Sequence, residues 1–327
     1  MLKTLQHTLF RRFTDNYIKK GTKMLKRNFN RGLNKSPVRL KKVDMAAWIL
    51  CVPFIFGLYF FQIRPIIIGL SYSFCEMKGF SPIGFAGLDN FISVIRDTAF
   101  IKTLINTVMY TVWSLVIGFW VPIFVAVIVN ELVHFRGTLK VMMYLPCIVP
   151  SLAASLIWYF FYLPGQAGVL NQVILMFGGE PQVWLQDKNL VIPLIIISMT
   201  WRGFGSTVVF YLAALQGINQ ELYEAARIDG AGVIKRAKTI TLPHLAPIAL
   251  LMFVKQIIGI FQIQSEPMLM TGGGPNGASL SLNLQSYYYM FNYFQTERAL
   301  ALGTITFVIL MIANIFYFRI EKKLEIY

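Results

Sequence analysis

Charged residues are scarce in this sequence, and cysteine is scarcer still. Only 14% of its 327 residues are charged and three are cysteine, whereas 56% are hydrophobic and 15% are aromatic. Cys51, Cys75 and Cys147 have no paired spacing, so neither a disulfide framework nor a cysteine metal site is indicated. A soluble core could not bury so large an apolar fraction. The composition therefore predicts a membrane protein.

Six apolar stretches are long enough to cross a bilayer as helices. They lie at residues 45–74, 104–129, 141–162, 190–215, 246–270 and 299–318. The predicted fold class is all-α: a polytopic membrane protein with six transmembrane helices. The predicted domains are a basic arm at residues 1–44, a six-span domain at 45–318 and a tail at 319–327.

The first 42 residues form a separate compositional region. They carry 13 Lys or Arg and one acidic residue, Asp15. No apolar core and no small-residue cleavage site are present, so a cleaved secretory signal is not predicted. Two interpretations stay open: an amphipathic arm on anionic lipid headgroups, and a solvated tail that marks the cytoplasmic side. Nucleic-acid binding is not expected of an arm attached to a membrane domain.

Basic residues also set the orientation. With the N-terminus inside, roughly 22 of the 30 Lys and Arg fall on the cytoplasmic side and about six outside, as the positive-inside rule requires. Both termini and the polar segment between spans four and five, residues 216–243, are therefore predicted to be cytoplasmic. We call residues 216–243 the elbow.

The elbow is polar but has the pattern of regular structure. Asn219 suits a helix N-cap, and residues 220–228 contain no helix breaker, so a short helix is predicted there. Gly230 and Gly232 provide the permissive backbone that a helix stop needs.

A second short helix is predicted at residues 233–241, ended by Pro243. Ala225, Ala226 and Ala231 fall at the corner between the two helices, where small side chains allow close approach of a partner surface. The alternative is an ordinary loop between two membrane helices.

Three linked elements of the elbow resemble a known signature. Glu224–Ala226, Asp229–Gly232 and Ile240–Pro243, at this spacing, resemble the EAA motif of the membrane subunits of binding-protein-dependent ABC importers, and within them the carbohydrate permeases of the maltose and glycerol-phosphate type. Residues 85–91 and 271–275 also resemble that group. Ala237 departs from the pattern, since those permeases usually carry Phe there.

This resemblance implies a function and partners. The chain would be a permease subunit forming half of the translocation pathway for a sugar or oligosaccharide, working by alternating access in a bacterial cell membrane. It would pair with a second permease, a cytoplasmic ATPase dimer and an extracytoplasmic solute-binding protein. The ATPase-coupling residues would be Glu224, Ala225, Ala226, Asp229, Gly230, Ala231, Gly232, Leu242 and Pro243, with Glu224 and Asp229 holding the shape of the elbow through hydrogen bonds.

Polar residues inside two predicted spans are candidates for the substrate path, because ionisable groups at membrane depth are costly. The candidates are Arg202, Lys255, Gln256, Gln262, Gln264 and Glu266. In one continuous helix Lys255, Gln262 and Glu266 would share a face. The alternative is structural: a buried Arg satisfied by carbonyls, and hydrogen bonds between helices.

The sequence carries no pattern typical of catalysis. The sequence has no Walker motif, no His-Glu-x-x-His and no nucleophile motif, and its histidines, His7, His134 and His244, are far apart. We expect no enzyme activity, no metal and no cofactor bound by this chain, so ATP and Mg²⁺ would belong to the partner ATPase. Two further alternatives stay open: an ABC permease for another polar solute, and an ion-coupled carrier.

Overall fold

The computed structural model describes residues 45–132 and 136–324, and most of these residues are helical. The basic arm, His134 and the last three residues of the tail lie outside the described residues. The chain divides into two compact units, residues 1–66 and 67–327.

The described part of the first unit is a run of helix. Helix α1 spans Met45–Leu58, a π turn follows at Tyr59–Ile63, and α2, Arg64–Tyr72, begins in this unit and continues beyond it. From Trp48 onward its apolar side chains are largely exposed within the unit. A helix that is apolar on all sides is typical of a membrane span.

The second unit starts with a short antiparallel hairpin, β1 Cys75–Lys78 and β2 Ser81–Phe85. Its further helices are α3 Asp89–Arg96, α4 Thr98–Trp113, α5 Trp120–Glu131, α6 Arg136–Ile148, α7 Ser151–Phe161, α8 Val169–Met176, α9 Val191–Leu215, α10 Gln220–Ile228, α11 Val233–Arg236, α12 Leu242–Phe261, α13 Ser265–Thr271, α14 Leu282–Tyr287 and α15 Thr296–Leu324. Three π turns join successive helices, at Ser114–Gly118, Ala237–Thr241 and Tyr288–Asn292.

Five helices in the described residues are long and apolar enough to cross a membrane, and the bent pair α6 and α7 makes up to six. The five are Trp48–Tyr72, Thr98–Glu131, Val191–Leu215, Val233–Phe261 and Thr296–Arg319. The all-α, multi-span fold class is confirmed.

Two predicted spans differ from the structure in shape. The third, at 141–162, is not one straight helix, because α6 and α7 meet at 94° where Pro150 begins the second helix with an extended backbone. The fifth, at 246–270, is also wrong in its bounds: the helix starts at Val233 and ends at Phe261. Gln262–Gln264 separate it from α13.

Helix α9 lies at the centre of the second unit. Buried side chains along it belong to two apolar clusters, one around Ile195 and Ile196 and the other around Val208 and Leu212. Between these residues Gly205 faces α6 so closely that a Cβ added there would overlap the backbone carbonyl of Met143. Backbone contacts of this kind between helices need a residue without a side chain.

We expect Gly205→Ala to lower the thermal stability of the purified protein, because α6 and α9 must separate to admit the methyl group. Overpacking of this kind costs about 1–3 kcal/mol. Gly203→Ala is the matched control, since a Cβ at Gly203 on the same helix meets nothing within 4 Å. Equal melting temperatures for the two variants in detergent would contradict the close approach.

A polar network joins the start of α4 to the π turn after α14 and to α15. The Tyr289 hydroxyl donates to Asp97 Oδ2 at 2.6 Å, the Ala99 amide donates to Asp97 Oδ1 at 2.9 Å, and Arg298 forms an ion pair with the same carboxylate. Burial alone raises the pKa of Asp97, but these hydrogen bonds and the cation outweigh it and hold the pKa below its usual 3.8.

This network predicts acid sensitivity. A carboxyl whose pKa is lowered by folding stabilises the native state above its unfolded pKa, and that stabilisation is lost as the pH falls through the folded value. The melting temperature should therefore decrease when the pH is lowered below about 4. Asp97→Asn should be less stable than wild type at pH 7 and show a smaller fall in acid. An unchanged acid profile would rule out this role for Asp97.

Candidate functional site

The first arm of the elbow agrees with the sequence prediction. Helix α10 spans Gln220–Ile228, and the side chain of Asn219 caps it by accepting the Glu221 amide at 3.1 Å. Gly230 follows with φ +72°, a conformation that favours glycine. The predicted N-cap, helix and glycine stop are thus confirmed.

The second arm differs from the prediction. Pro243 does not end a short helix: α11, a π turn at Ala237–Thr241 and α12 form one helix from Val233 to Phe261. At the end of the π turn the Leu242 amide donates to the Ala237 carbonyl five residues back, and Pro243, which has no amide hydrogen to donate, follows directly. The elbow therefore continues directly into the fifth span.

An ion pair that the sequence analysis missed anchors the corner of the elbow. Arg236 donates through one guanidinium nitrogen to the Ala231 carbonyl at 2.6 Å and through another to Glu131 Oε2 at 2.5 Å. Both charged side chains are about 10% exposed. Because Glu131 is the last residue of α5, this contact ties the corner to the second span.

Tyr223 forms a second contact between the same elements. Its hydroxyl lies 2.9 Å from Thr241 Oγ1 and accepts a hydrogen bond from the Asn130 amide at 3.2 Å. One side chain of α10 thus links both arms of the elbow and the end of α5. Together with the ion pair, it makes the elbow a fixed part of the helix bundle.

The outer face of the elbow is open and partly apolar. Ile228 is 87% exposed and Ile234 73% exposed, and Leu222 and Val233 are also largely exposed. A Cβ added at Gly230 would meet nothing within 4 Å. Exposed apolar side chains in a segment that is otherwise polar are typical of a protein contact surface.

The predicted coupling residues mostly lie on this open face. Exposed residues are Glu224, Ala225, Asp229, Gly230, Gly232, Leu242 and Pro243, whereas Ala226 is half-buried and Ala231 is buried under the corner. Within the described residues the side chains of Glu224 and Asp229 make no hydrogen bond or ion pair. The corner is held by Arg236 instead, a residue whose basic charge in a short helix was its only signal in the sequence.

A cleft of about 280 Å³, lined by both polar and apolar side chains, lies farther along the same bundle. It is enclosed by α9, by α12 and by the chain around Gly118, and its polar lining includes Thr200, Arg202, Lys255 and Gln256. Three of the six predicted path residues are therefore brought together.

Glu266, which does not line the cleft, contacts one of these residues from the next helix. Arg202 lies near the middle of α9, and its guanidinium is 3.4 Å from Glu266 Oε1 on α13. The carboxylate side chain is 11% exposed and the arginine 34% exposed. Arg202 is therefore paired but still open to the cleft.

Gln256 is fixed where three elements approach closely. Its side-chain amide donates to Ser114 Oγ at 2.7 Å, and a Cβ added at Gly118 would lie 3.0 Å from that amide nitrogen and 3.2 Å from Thr200 Oγ1. Glycine at position 118 therefore gives the polar side chains of α9 and α12 room beside the π turn.

Gln262 and Gln264 lie elsewhere. Both fall in the break after α12, where Asn283 donates to the Gln262 carbonyl at 2.9 Å and to Gln264 Oε1 at 3.3 Å. The expected helical face of Lys255, Gln262 and Glu266 is wrong, because the helix ends at Phe261.

Tyr211 is a cleft residue that the sequence analysis missed. It is fully buried and lines the cleft, yet its hydroxyl has no hydrogen-bond partner within the described residues. Its place in an apolar stretch of α9 gave no signal in the sequence.

Charged and polar side chains in a cleft between apolar membrane helices, with an anchored elbow continuing from one of them, are the features expected of a membrane transport component. The chain belongs to the family of binding-protein-dependent transport system inner membrane components, whose model matches residues 118–326. This makes it a multi-pass membrane permease subunit rather than an enzyme, as predicted.

Proteins of related sequence were found in several bacteria. The lactose transport system permease protein LacF of Rhizobium radiobacter is 31% identical over 86% of this chain and 96% of its own. The arabinooligosaccharides transport system permease protein AraP of Bacillus subtilis is 28% identical over 86% of this chain and 90% of its own.

A solved structure shares the fold. A chain of a bacterial ABC transporter involved in the import of the acidic polysaccharide alginate matches with a TM-score of 0.77 and 25% identity, covering 86% of this chain and 96% of that one. A second structure of the alginate transporter is a complex with a periplasmic protein that holds an alginate pentasaccharide, and it matches equally well.

Proposed function

We propose that this chain is one permease subunit of an ATP-driven carbohydrate importer and that its elbow receives the movement of a cytoplasmic ATPase. The observation that carries the proposal is the elbow itself: a corner anchored by Arg236 to the second span and open on its outer face. A rigid corner can transmit a displacement to the membrane helices, whereas a flexible loop would deform without moving them.

Carbohydrate as the solute is supported by the relatives. The two permeases named above are described as serving lactose and arabinooligosaccharides, and the alginate transporter imports a polysaccharide. The cleft suits a polar solute, since hydroxyl, amide and charged side chains line it. In this proposal Arg202, Lys255 and Gln256 contact the solute, and alternating access exposes the cleft to each side in turn.

The assembly needs further chains. A second, related permease completes the pathway as a heterodimer, an ATPase dimer binds ATP and Mg²⁺, and an extracytoplasmic binding protein delivers the solute. Both termini lie in the cytoplasm of a bacterium, with the apolar outer surface of the helices in lipid. The charge distribution of the loops supports this orientation.

Affinity purification from gently solubilised membranes of the natural host tests the assembly. We expect a second multi-span permease and an ATPase to co-purify with this chain, and the reconstituted complex to take up a labelled oligosaccharide only with ATP. If the chain purifies alone and an imposed ion gradient drives its transport of a solute, the chain is an ion-coupled carrier and the proposal fails.

A further inference from the structure

We propose that the solute carries a negatively charged group and that Lys255 is its counter-ion in the cleft. This inference rests on the proposed function, because it names the class of carbohydrate that the permease moves: one bearing an anionic group, such as the carboxylate of a uronic acid.

The charge balance of the cleft is the first observation. Among the described residues its charged lining consists of Arg202 and Lys255, and none of them places a carboxylate in it. Glu266 compensates Arg202 from the side, at 3.4 Å. Lys255 forms no ion pair within the described residues. The site therefore has one uncompensated positive charge.

The Lys255 side chain is available to a solute in the cleft. It is exposed, it lies within a membrane-spanning helix, and its ammonium rests over the Phe210 ring at 5.6 Å from the centroid. A cation–π contact at this distance leaves most of the positive charge free to attract an anion. An anion entering the cleft would gain the full attraction of a charge that no protein carboxylate competes for.

Tyr211 supplies the second observation. Tyr211 lines the same cleft, and its buried hydroxyl has no partner within the described residues. Buried polar atoms without partners are rare in proteins and often mark a ligand site. Once the Tyr211 side chain turns towards the cleft, its hydroxyl can bond a hydroxyl group of the sugar while the anionic group faces Lys255. The two residues would then recognise the two kinds of functional group of an acidic sugar.

The rival explanation is that a carboxylate of the second permease neutralises Lys255 in the assembled transporter. In that case the loss of the lysine charge would weaken transport of every solute alike. Comparing the uptake of charged and neutral solutes therefore distinguishes an anionic solute from a carboxylate of the partner permease as the counter-ion of Lys255.

Uptake in the natural host provides the test, with this gene deleted and then restored as wild type or as a variant. The probes are labelled trisaccharides in matched pairs, trigalacturonate with α-1,4-galactotriose and β-1,4-trimannuronate with β-1,4-mannotriose. We expect an acidic member to enter and its uptake to fall at least about tenfold with Lys255→Gln but to persist with Lys255→Arg. Lys78→Gln is the matched control, since Lys78 is an exposed lysine of β1 outside the cleft.

Each other outcome overturns the assignment in a distinct way. Preferred uptake of neutral members, unaffected by Lys255→Gln, refutes an anionic solute but leaves the importer in place. An equal loss for all solutes assigns the charge to the partner permease. Acidic uptake that ignores the lysine places anion recognition elsewhere. Uptake of none of the four trisaccharides refutes this inference, whereas the carbohydrate function is refuted only by the co-purification and uptake experiment described above.

Tyr211→Phe gives an independent readout. Because the change removes a buried hydroxyl without a partner, the melting temperature should stay equal or rise. Uptake of the acidic trisaccharide should nevertheless become weaker through a higher KM. An unchanged KM would show that Tyr211 does not contact the solute.

Discussion

Gly230→Asp should abolish transport while the protein still inserts and folds. Gly230 lies on the open face of the elbow with φ +72° and free space around it, so an aspartate is tolerated in the isolated chain at the cost of modest backbone strain. In the docked state its charged side chain would enter the contact with the ATPase. Loss of a contact at the centre of an interface costs about 2–4 kcal/mol, or roughly 30- to 1000-fold in affinity.

The measurement is co-purification of the ATPase together with ATP-driven uptake, with immunoblots of membranes to confirm insertion. Gly79→Asp is the matched control, because Gly79 also has a left-handed backbone, φ +62°, and open space, but lies in the hairpin turn. If Gly230→Asp retains wild-type uptake, the elbow does not couple the chain to an ATPase.

Loss of Arg236 should have a large effect on stability as well as on transport. Arg236→Met leaves the Glu131 carboxylate, about 10% exposed, without its cation, and removing one partner of a largely enclosed ion pair is strongly destabilising. The Ala231 carbonyl loses its donor in the same variant. We therefore expect a lower melting temperature and no measurable uptake.

The double variant Glu131→Leu with Arg236→Met separates the two effects. Since it leaves no unpaired charge, most of the stability should return. Uptake should remain impaired, because the corner is no longer tied to α5. Lys238→Met is the control, an exposed lysine in the following π turn. Full recovery of uptake in the double variant would show that the ion pair serves stability alone.

Much of the fold could be predicted because membrane spans and helix caps are local properties of sequence. The apolar stretches gave the spans, and Asn219 and Gly230 marked the ends of α10. The break at Pro150 and the passage of the helix through Pro243 could not be predicted in the same way. Both depend on whether neighbouring turns can accommodate a proline, which one residue does not determine.

The candidate functional site could be predicted from the sequence only in part, for a similar reason. Arg202 and Lys255 were identified because charge in a membrane span is unusual by itself. The pairing of Arg236 with Glu131 joins residues 105 positions apart, and the isolation of the Tyr211 hydroxyl appears only when its neighbours are in place. Long-range partners and missing partners are properties of the packed molecule.

If the elbow receives the movement of an ATPase, the helix from Val233 to Phe261 would act as a lever. It has 29 residues, which at 1.5 Å per residue is about 40 Å, and it carries the elbow corner near one end and Lys255 and Gln256 near the other. If the ATPase acts on one end, a sugar in the cleft acts on the other end of the same rod. Thermodynamic reciprocity then requires the effect to run both ways: solute that favours one tilt of the lever must change the affinity of the elbow for the ATPase. Binding of the solute in the cleft would thus change the affinity of the elbow for the ATPase on the cytoplasmic side before any ATP is hydrolysed.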